Sequence, residues 1–201
     1  MADPSFSRQR ADDGSRPSLA GISVAQLGLY VTLVSLTMLF GASIIAYLVT
    51  RSQNELWHAR PLPPLPWGLA ASSALLVGVS VSMRWGIAAL KRNAFTTLER
   101  ALWISGALAV GFLLAQIQNW RSLLAAAVPV DVQPLYVFTV YALTALHALH
   151  VLAGFIPLGL VIARAHGRQY SSSRMEGVRL CAQYWDYLLV VWFVLLFVVM
   201  T

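Results

Sequence analysis

The sequence predicts an all-α protein: a polytopic membrane bundle of five transmembrane helices, with a cytoplasmic N-terminus and an external C-terminus. The first supporting observation is composition, because 58% of the 201 residues are hydrophobic and only 11% are charged. Soluble domains carry about a quarter charged residues. The second is that the charged residues leave five long apolar intervals between them, and the third is that Lys and Arg are divided unequally between the two sides of those intervals.

The charge-free intervals define the helices. Each interval, the last one with Asp186 included, can hold an apolar helix of about 20 residues, the length that crosses ~30 Å of hydrocarbon. The predicted helices span residues 26–50, 67–90, 101–120, 134–163 and 180–200. Residues 1–25 are polar and are predicted to form a flexible cytoplasmic tail, and residues 26–201 are predicted to form the transmembrane domain. The first apolar run is too long for a signal-peptide core.

Basic residues orient the predicted bundle. With the N-terminus inside, the inner segments hold eleven Lys and Arg residues and the outer loops hold three. The inner residues are Arg8, Arg10, Arg16, Arg84, Lys91, Arg92, Arg100, Arg164, Arg168, Arg174 and Arg179. The outer residues are Arg51, Arg60 and Arg121. This asymmetry follows the positive-inside rule, so the net charge of +6 indicates membrane topology and not nucleic-acid binding.

His147 and His150 are the only histidines inside the predicted helices, and they lie close together on one side of the fourth helix. A haem with two axial histidines needs one from each face of the porphyrin, which one helix cannot supply at this spacing. A di-iron bundle needs Glu-x-x-His repeats, and no glutamate lies in a predicted helix. Metal ligation and proton transfer remain alternatives, but we interpret the pair as neutral imidazoles hydrogen-bonded to neighbouring helices.

Asp186 is the only carboxylate within a predicted helix. It lies seven residues after Arg179, about 10 Å into the membrane. A proton relay would need further acids along its path, so we interpret Asp186 as paired with a nearby arginine or capped by helix donors.

Other polar and aromatic side chains inside the predicted helices have structural explanations. Gln116 and Asn119 share a face of the third helix, where they can form interhelical hydrogen bonds. Tyr184, Trp185 and Trp192 on the fifth helix are predicted to pack against neighbours or to anchor at the membrane surface. The single cysteine excludes an internal disulfide and a Cys-x-x-Cys redox site.

The C-terminal half carries a family resemblance. The stretch LHALHVLAG, followed by EGVRLCAQYWDYLLVVWFVLLF, resembles subunit III of haem-copper cytochrome oxidases. The family pattern is Thr-Gly-x-His-Gly-x-His-Val, a basic loop, then Tyr-Trp-His-Phe-x-Asp-Val-Val-Trp. The matching positions are His147, His150, Val151, Gly154, Tyr184, Trp185, Val190, Val191 and Trp192. Upstream, GLYVTLVSLTMLFGASIIAY and QIQNW resemble the family's Ser-Glu-x-x-x-Phe helix and its Gln-x-x-Glu-Tyr/Trp segment, so the resemblance is to the short five-helix bacterial form.

The departures from this pattern concern carboxylates. Leu36 and Asn119 stand where many members carry an acid, and Arg179 stands where a glutamate is usual. Asp186 replaces the histidine after Tyr-Trp, and Leu189 replaces the aspartate. Roles attributed to those carboxylates, such as support of proton uptake by the catalytic subunit, are therefore not carried over. The chain resembles a divergent branch of the family.

The resemblance implies a non-redox accessory subunit of a cytochrome c oxidase-type oxidoreductase in a bacterial inner membrane. Haem and copper are expected in partner chains, the catalytic subunit I and subunit II, and none in this chain. The subunit is expected to support assembly and sustained turnover and to bind phospholipid. No catalytic, cofactor-binding or metal residue is predicted. The structural or lipid-contact candidates are His147, His150, Tyr184, Trp185, Asp186, Trp192, Gln116 and Asn119.

Three alternatives remain open. The chain could be a subunit-III-like component of a nitric oxide reductase-type or other respiratory complex. It could be a b-type cytochrome with His147 or His150 as axial ligand. It could also be a small transporter coupled through Asp186, although no internal repeat and no matching pair of broken helices supports that reading.

Overall fold

The computed structural model describes residues 23–53, 68–127, 134–171 and 174–200. These residues form five α-helices, and apart from one isolated bridge between Ser171 and Arg174 they contain no β-structure. The helices are α1 (Val24–Gln53), α2 (Gly68–Lys91), α3 (Phe95–Ala127), α4 (Pro134–His166) and α5 (Glu176–Met200). Each is long and apolar enough to cross a membrane. The predicted all-α class with five membrane-spanning helices is confirmed, the orientation of the two termini stays a prediction, and most of the predicted tail lies outside the described residues.

Helix α1 begins two residues earlier than predicted because the sequence SVAQ caps it. The backbone N–H of Gln26 donates to Ser23 Oγ over 3.1 Å, and the backbone N–H of Ser23 donates to Gln26 Oε1 over 3.3 Å. This reciprocal pair is a capping box, which satisfies donors that a helix start otherwise leaves free.

Helices α2 and α4 end in the same way. Asn93 and Arg168 have positive φ angles of 54° and 51°. In the first case the N–H of Ala94 donates to the carbonyl of Ala89 over 3.0 Å, and in the second the N–H of Gln169 donates to the carbonyl of Arg164 over 3.0 Å. These are Schellman motifs, in which a left-handed residue ends the helix and lets the chain turn back.

Helix α3 is longer than predicted. The prediction of 101–120 took Arg100 and Arg121 as boundaries, whereas the observed helix has 33 residues and includes both. At 1.5 Å per residue it is about 50 Å long, which exceeds the hydrocarbon thickness. Its ends therefore reach beyond the apolar layer, where the charged side chains are solvated.

Four helices form a closed ring. Helix α2 packs along α3, α3 contacts α4, α4 contacts α5, and α5 returns to α2, while α1 lies outside the ring against α4 and α5. The Ser23 hydroxyl donates to the Glu176 carboxylate, so α1 and α5 begin at the same end of the bundle. We call this the basic end. Its cations are Lys91, Arg92, Arg100, Arg164, Arg168, Arg174 and Arg179.

Candidate functional site

The centre of the bundle holds His147 within a cage of aromatic rings. The imidazole is fully buried, with 0% of the residue exposed. Its ring centroid lies 6.2 Å from that of Phe40, 5.7 Å from that of Phe112 and 5.1 Å from that of Trp192. These three rings, which we call the aromatic cage, come from α1, α3 and α5, while His147 belongs to α4. Four of the five described helices therefore meet at this one side chain.

Within the part of the chain that the structure describes, His147 does not form the interhelical hydrogen bond that the sequence analysis predicted, and the hydrogen bond of His150 Nδ1 stays within its own helix. Among the described residues, neither ring nitrogen of His147 has a hydrogen-bond partner. Nδ1 of His150 lies 2.7 Å from the carbonyl oxygen of Leu146, one turn earlier in its own helix. Because a carbonyl only accepts, that nitrogen carries the proton. The prediction was wrong because the residues facing His147 present rings and not polar atoms.

Helices α4 and α5 are joined next to the cage by a different contact. The Tyr184 hydroxyl donates to the backbone carbonyl of His150 over 2.8 Å. Gly154 permits this approach, since a methyl group there would lie 3.0 Å from Tyr184 Cε1 and 3.1 Å from Trp185 Cζ2. The side of α4 that carries both histidines and Gly154 is thus the face that packs, with His147 turned to the centre and Gly154 against α5.

The cage residues do not fit a haem or a metal centre. A porphyrin needs open space beside the ligating nitrogen, whereas His147 is enclosed by side chains of three other helices. In the described part of the chain, no group of three or more His, Cys, Asp or Glu side chains is placed to hold a metal ion. The arrangement suits ring packing at a helix junction.

Gln116 and Asn119 form a second buried site, together with Ser72 of α2. Asn119 Nδ2 donates to Ser72 Oγ over 3.0 Å and to Gln116 Oε1 over 2.9 Å. Ser72 Oγ also lies 3.3 Å from Gln116 Oε1. The three residues are buried, so this cluster joins α2 and α3 at the end of the bundle opposite the basic end. The sequence predicts the two amides but not Ser72, because Ser72 is one of four serines in α2 and nothing in the sequence distinguishes it from the others.

Trp120 forms further hydrogen bonds, from α3 to α4. Its indole Nε1 donates to Thr144 Oγ1 over 3.0 Å, and its backbone carbonyl accepts a hydrogen bond from the Tyr141 hydroxyl. The Trp120 and Tyr141 rings stack with centroids 5.9 Å apart. A side-chain hydrogen bond between two helices in lipid contributes only about 0.6 kcal/mol on average to stability. These bonds therefore fix the register of the helices more than they stabilise the bundle.

Asp186 is paired with a cation and a hydroxyl from α2. Arg84 donates to Asp186 Oδ2 over 2.9 Å, and the Ser80 hydroxyl donates to Oδ1. The aspartate side chain is 30% exposed and the arginine side chain 70% exposed. The partner is therefore an arginine of a neighbouring helix and not Arg179 of its own helix. The pairing gives Asp186 a structural role between α2 and α5.

Trp185 and Trp192 are packed in the interior and do not anchor at the membrane surface. Both are almost completely buried, at 1% and 0% exposure. Trp192 Nε1 donates to Ser73 Oγ over 3.0 Å, which joins α5 to α2, and its ring meets Phe112 edge-on at 5.1 Å. Trp185 meets Phe155 edge-on at 6.1 Å. The candidate residues thus form helix junctions.

Comparison with known proteins agrees with the family resemblance. The family model described as cytochrome c oxidase subunit III matches residues 19–201, which include all five described helices. Cytochrome c oxidase subunit 3 of Thermostichus vulcanus is 26% identical over 170 residues, covering 84% of this chain and 83% of the relative. The Synechocystis protein of the same name is 29% identical over 174 residues, covering 86% and 73%. Probable cytochrome c oxidase subunit 3 of Mycobacterium bovis is 24% identical over 186 residues, covering 90% of each.

Proposed function

Because the chain belongs to the cytochrome c oxidase subunit III family, we propose that it is a non-redox accessory subunit of a bacterial haem-copper respiratory oxidase. In this role it is a multi-pass protein of the plasma membrane that binds the catalytic subunit I and subunit II. Those partners hold the haem and copper that reduce oxygen. The chain supports assembly, binds phospholipid and sustains turnover.

One observation carries this proposal: the family match extends over residues 19–201 and so includes every helix of the bundle. The site geometry supports the proposal, because the buried candidate residues pack against neighbouring helices and form hydrogen bonds to them. A rigid bundle of this kind acts by covering a partner's apolar surface with a complementary one. The exposed apolar side chains of α1 offer such a surface, since only Leu36, Phe40 and Tyr47 of that helix are buried.

Deletion of the gene tests the proposal. We expect the oxidase purified from the deletion strain to keep its haem spectrum, because the redox centres belong to the partner chains. We also expect it to begin turnover and then lose activity faster than the complete enzyme, or to be recovered in lower yield. The measurements are the reduced-minus-oxidised spectrum and oxygen consumption followed over many turnovers. Complementation with the wild-type gene is the control, and a missing haem band in the deletion strain would contradict a non-redox role.

A second expected result concerns Asp186→Asn in the intact oxidase. The change removes the ion pair with Arg84 but leaves an oxygen that can still accept from Ser80. We expect the initial rate of oxygen consumption to change less than twofold, a shift under about 0.4 kcal/mol in the barrier. A collapse of turnover with normal assembly and haem content would instead place Asp186 in a proton path.

A further inference from the structure

A small cavity lies among α2, α3 and α4, at the end of the bundle opposite the basic end. Its volume is about 20 Å³, and one water molecule needs at least about 10–15 Å³. The cavity therefore has room for one water molecule and for little more. We call it the amide cavity. Among the residues that line it are Leu69 of α2, Gln116, Asn119 and Trp120 of α3, and Val140 and Thr144 of α4.

Gln116 brings an unpaired hydrogen-bond donor to this cavity. The residue is 1% exposed, and its carbonyl oxygen Oε1 accepts a hydrogen bond from Asn119 Nδ2 over 2.9 Å. Its amide nitrogen Nε2 has no hydrogen-bond partner among the described residues. That nitrogen carries two hydrogens, and a buried donor without a partner destabilises the folded state. We therefore expect a ligand that accepts a hydrogen bond from Gln116 Nε2.

Thr144 brings an acceptor to the same cavity. Its hydroxyl donates to the backbone carbonyl of Val140 over 2.7 Å, and its Oγ1 accepts from Trp120 Nε1 over 3.0 Å. A hydroxyl oxygen has two lone pairs, so Thr144 Oγ1 can accept one further hydrogen bond. The residue is 6% exposed. The cavity thus lies between a buried donor on α3 and a buried acceptor on α4.

The size and polarity of the cavity select water among small ligands. The described residues that line it are all neutral, so an ion would find no counter-charge there. An apolar guest would leave the amide of Gln116 unpaired. Water both donates and accepts, and a buried water typically makes about three hydrogen bonds. Water also reaches this level, because Leu69 is the second residue of α2 and the cavity therefore lies near the end of the bundle.

We propose that the amide cavity binds one ordered water molecule, which accepts a hydrogen bond from Gln116 Nε2 and donates one to Thr144 Oγ1. The water joins two sets of hydrogen bonds. The first is the cluster of Ser72, Gln116 and Asn119 between α2 and α3, and the second is the bond from Trp120 to Thr144 between α3 and α4. The result is one network across three helices. The site does not depend on the accessory role proposed above.

Nuclear magnetic resonance of the purified full-length chain in detergent micelles tests the proposal. The chain carries isotope-labelled glutamine, Gln116→Met assigns the signal, and a slightly acidic pH keeps amide exchange with bulk water slow. We expect a nuclear Overhauser cross-peak between the Gln116 side-chain amide and a long-lived water. Gln118, which is exposed on the same helix, should show none. No cross-peak at Gln116 in the folded chain, or equal cross-peaks at both glutamines, would overturn the proposal.

Val140→Ile is the variant that separates water from exchanging hydroxyl protons. It adds a methylene group beside the cavity and should exclude the water, so the cross-peak at Gln116 should disappear. The hydroxyls of Ser72 and Thr144 remain in this variant. A cross-peak that persists unchanged would therefore come from those hydroxyls and would contradict a bound water.

The same variant gives a second test by detergent unfolding, in the sign of its effect on stability. In the wild-type chain Val140→Ile should lower the folded-to-unfolded ratio about tenfold, because it leaves the Gln116 amide without a partner. In the Gln116→Met background it should leave the ratio unchanged or raise it, since no amide there needs the water and a filled cavity gains packing contacts.

Val161→Ile is the matched control, because Val161 is a buried valine of the same helix outside the cavity lining. It measures the effect of one added methylene on packing alone, and this effect should be the same in both backgrounds. If Val140→Ile stabilised the wild-type chain, the cavity would hold no water. If it lowered stability equally in both backgrounds, the loss would be overpacking, and the proposal would be wrong.

Discussion

Trp192→Ala should lower the stability of the bundle by about 3 kcal/mol, whereas Trp103→Ala should leave it nearly unchanged. Truncation of a buried Trp costs about 3–5 kcal/mol in soluble proteins, and we expect the lower end because lipid gives helices no hydrophobic driving force to associate. Trp192 has 0% exposure, and its loss removes the ring contacts with Phe112 and His147 and the hydrogen bond to Ser73. Trp103 is 66% exposed and contributes little to the interior.

The measurement is unfolding of the purified chain in mixed micelles with a rising fraction of denaturing detergent. A loss of about 3 kcal/mol corresponds to more than a 100-fold change in the folded-to-unfolded ratio, which this method resolves easily. If the two substitutions lowered stability equally, the aromatic cage would not be the packed centre of the bundle. In the intact oxidase the same Trp192 variant should reduce recovery of this subunit with its partners, because the partner surface depends on the bundle's shape.

The helices and their order were predictable because a membrane imposes few choices. Backbone groups in lipid must be satisfied within a segment, so a charge-free stretch of sufficient length becomes a helix. This constraint does not fix where a helix ends. Arg100 and Arg121 lie inside α3, so a charged residue does not mark the boundary of a helix. The start of α1 depended on a local capping pattern, SVAQ, which charge spacing does not detect.

The partners of the polar residues were harder to predict, because they depend on which helices become neighbours. Asp186 was expected to find an arginine, but its partner Arg84 lies 102 residues away on α2. The signal in the sequence was that Arg84 and Asp186 carry opposite charges, and that each lies in a predicted helix near the same predicted membrane surface. Ser72 gave a weaker signal, since a serine in a membrane helix can bond to its own backbone, as both Ser72 and Ser73 do, over 2.9 Å to Gly68 and 2.8 Å to Leu69.

The groups that face His147 and His150 could not be predicted from the sequence. Both residues are polar, and a polar group in lipid is expected to find a hydrogen-bond partner. His150 Nδ1 bonds to a backbone carbonyl of its own helix, and His147 is surrounded by aromatic rings. Whether an imidazole faces a hydroxyl or a ring is set by the rotation of three neighbouring helices, which no spacing within α4 specifies.

His147 therefore allows a test that separates packing from hydrogen bonding. His147→Ala should lower stability by about 3 kcal/mol, because it leaves a cavity among Phe40, Phe112 and Trp192. His147→Phe should be as stable as the wild type or more stable. It keeps a ring in the cage and removes two buried nitrogens that lack partners among the described residues. An unpaired buried polar group costs about 1–3 kcal/mol, which offsets the strain of the slightly larger ring.

The two His147 substitutions give opposite outcomes only if the imidazole acts as a packing ring. If His147 acted through hydrogen bonds instead, His147→Gln would preserve stability better than His147→Phe. The three variants are compared by detergent unfolding of the purified chain, and the haem absorbance of the intact oxidase is recorded for each. We expect the order Phe, Gln, Ala from most to least stable, with the haem absorbance unchanged throughout. If Phe proves as damaging as Ala while Gln is tolerated, a polar partner must hold the imidazole, and the centre of the bundle would then be a site for that partner and not a junction of rings.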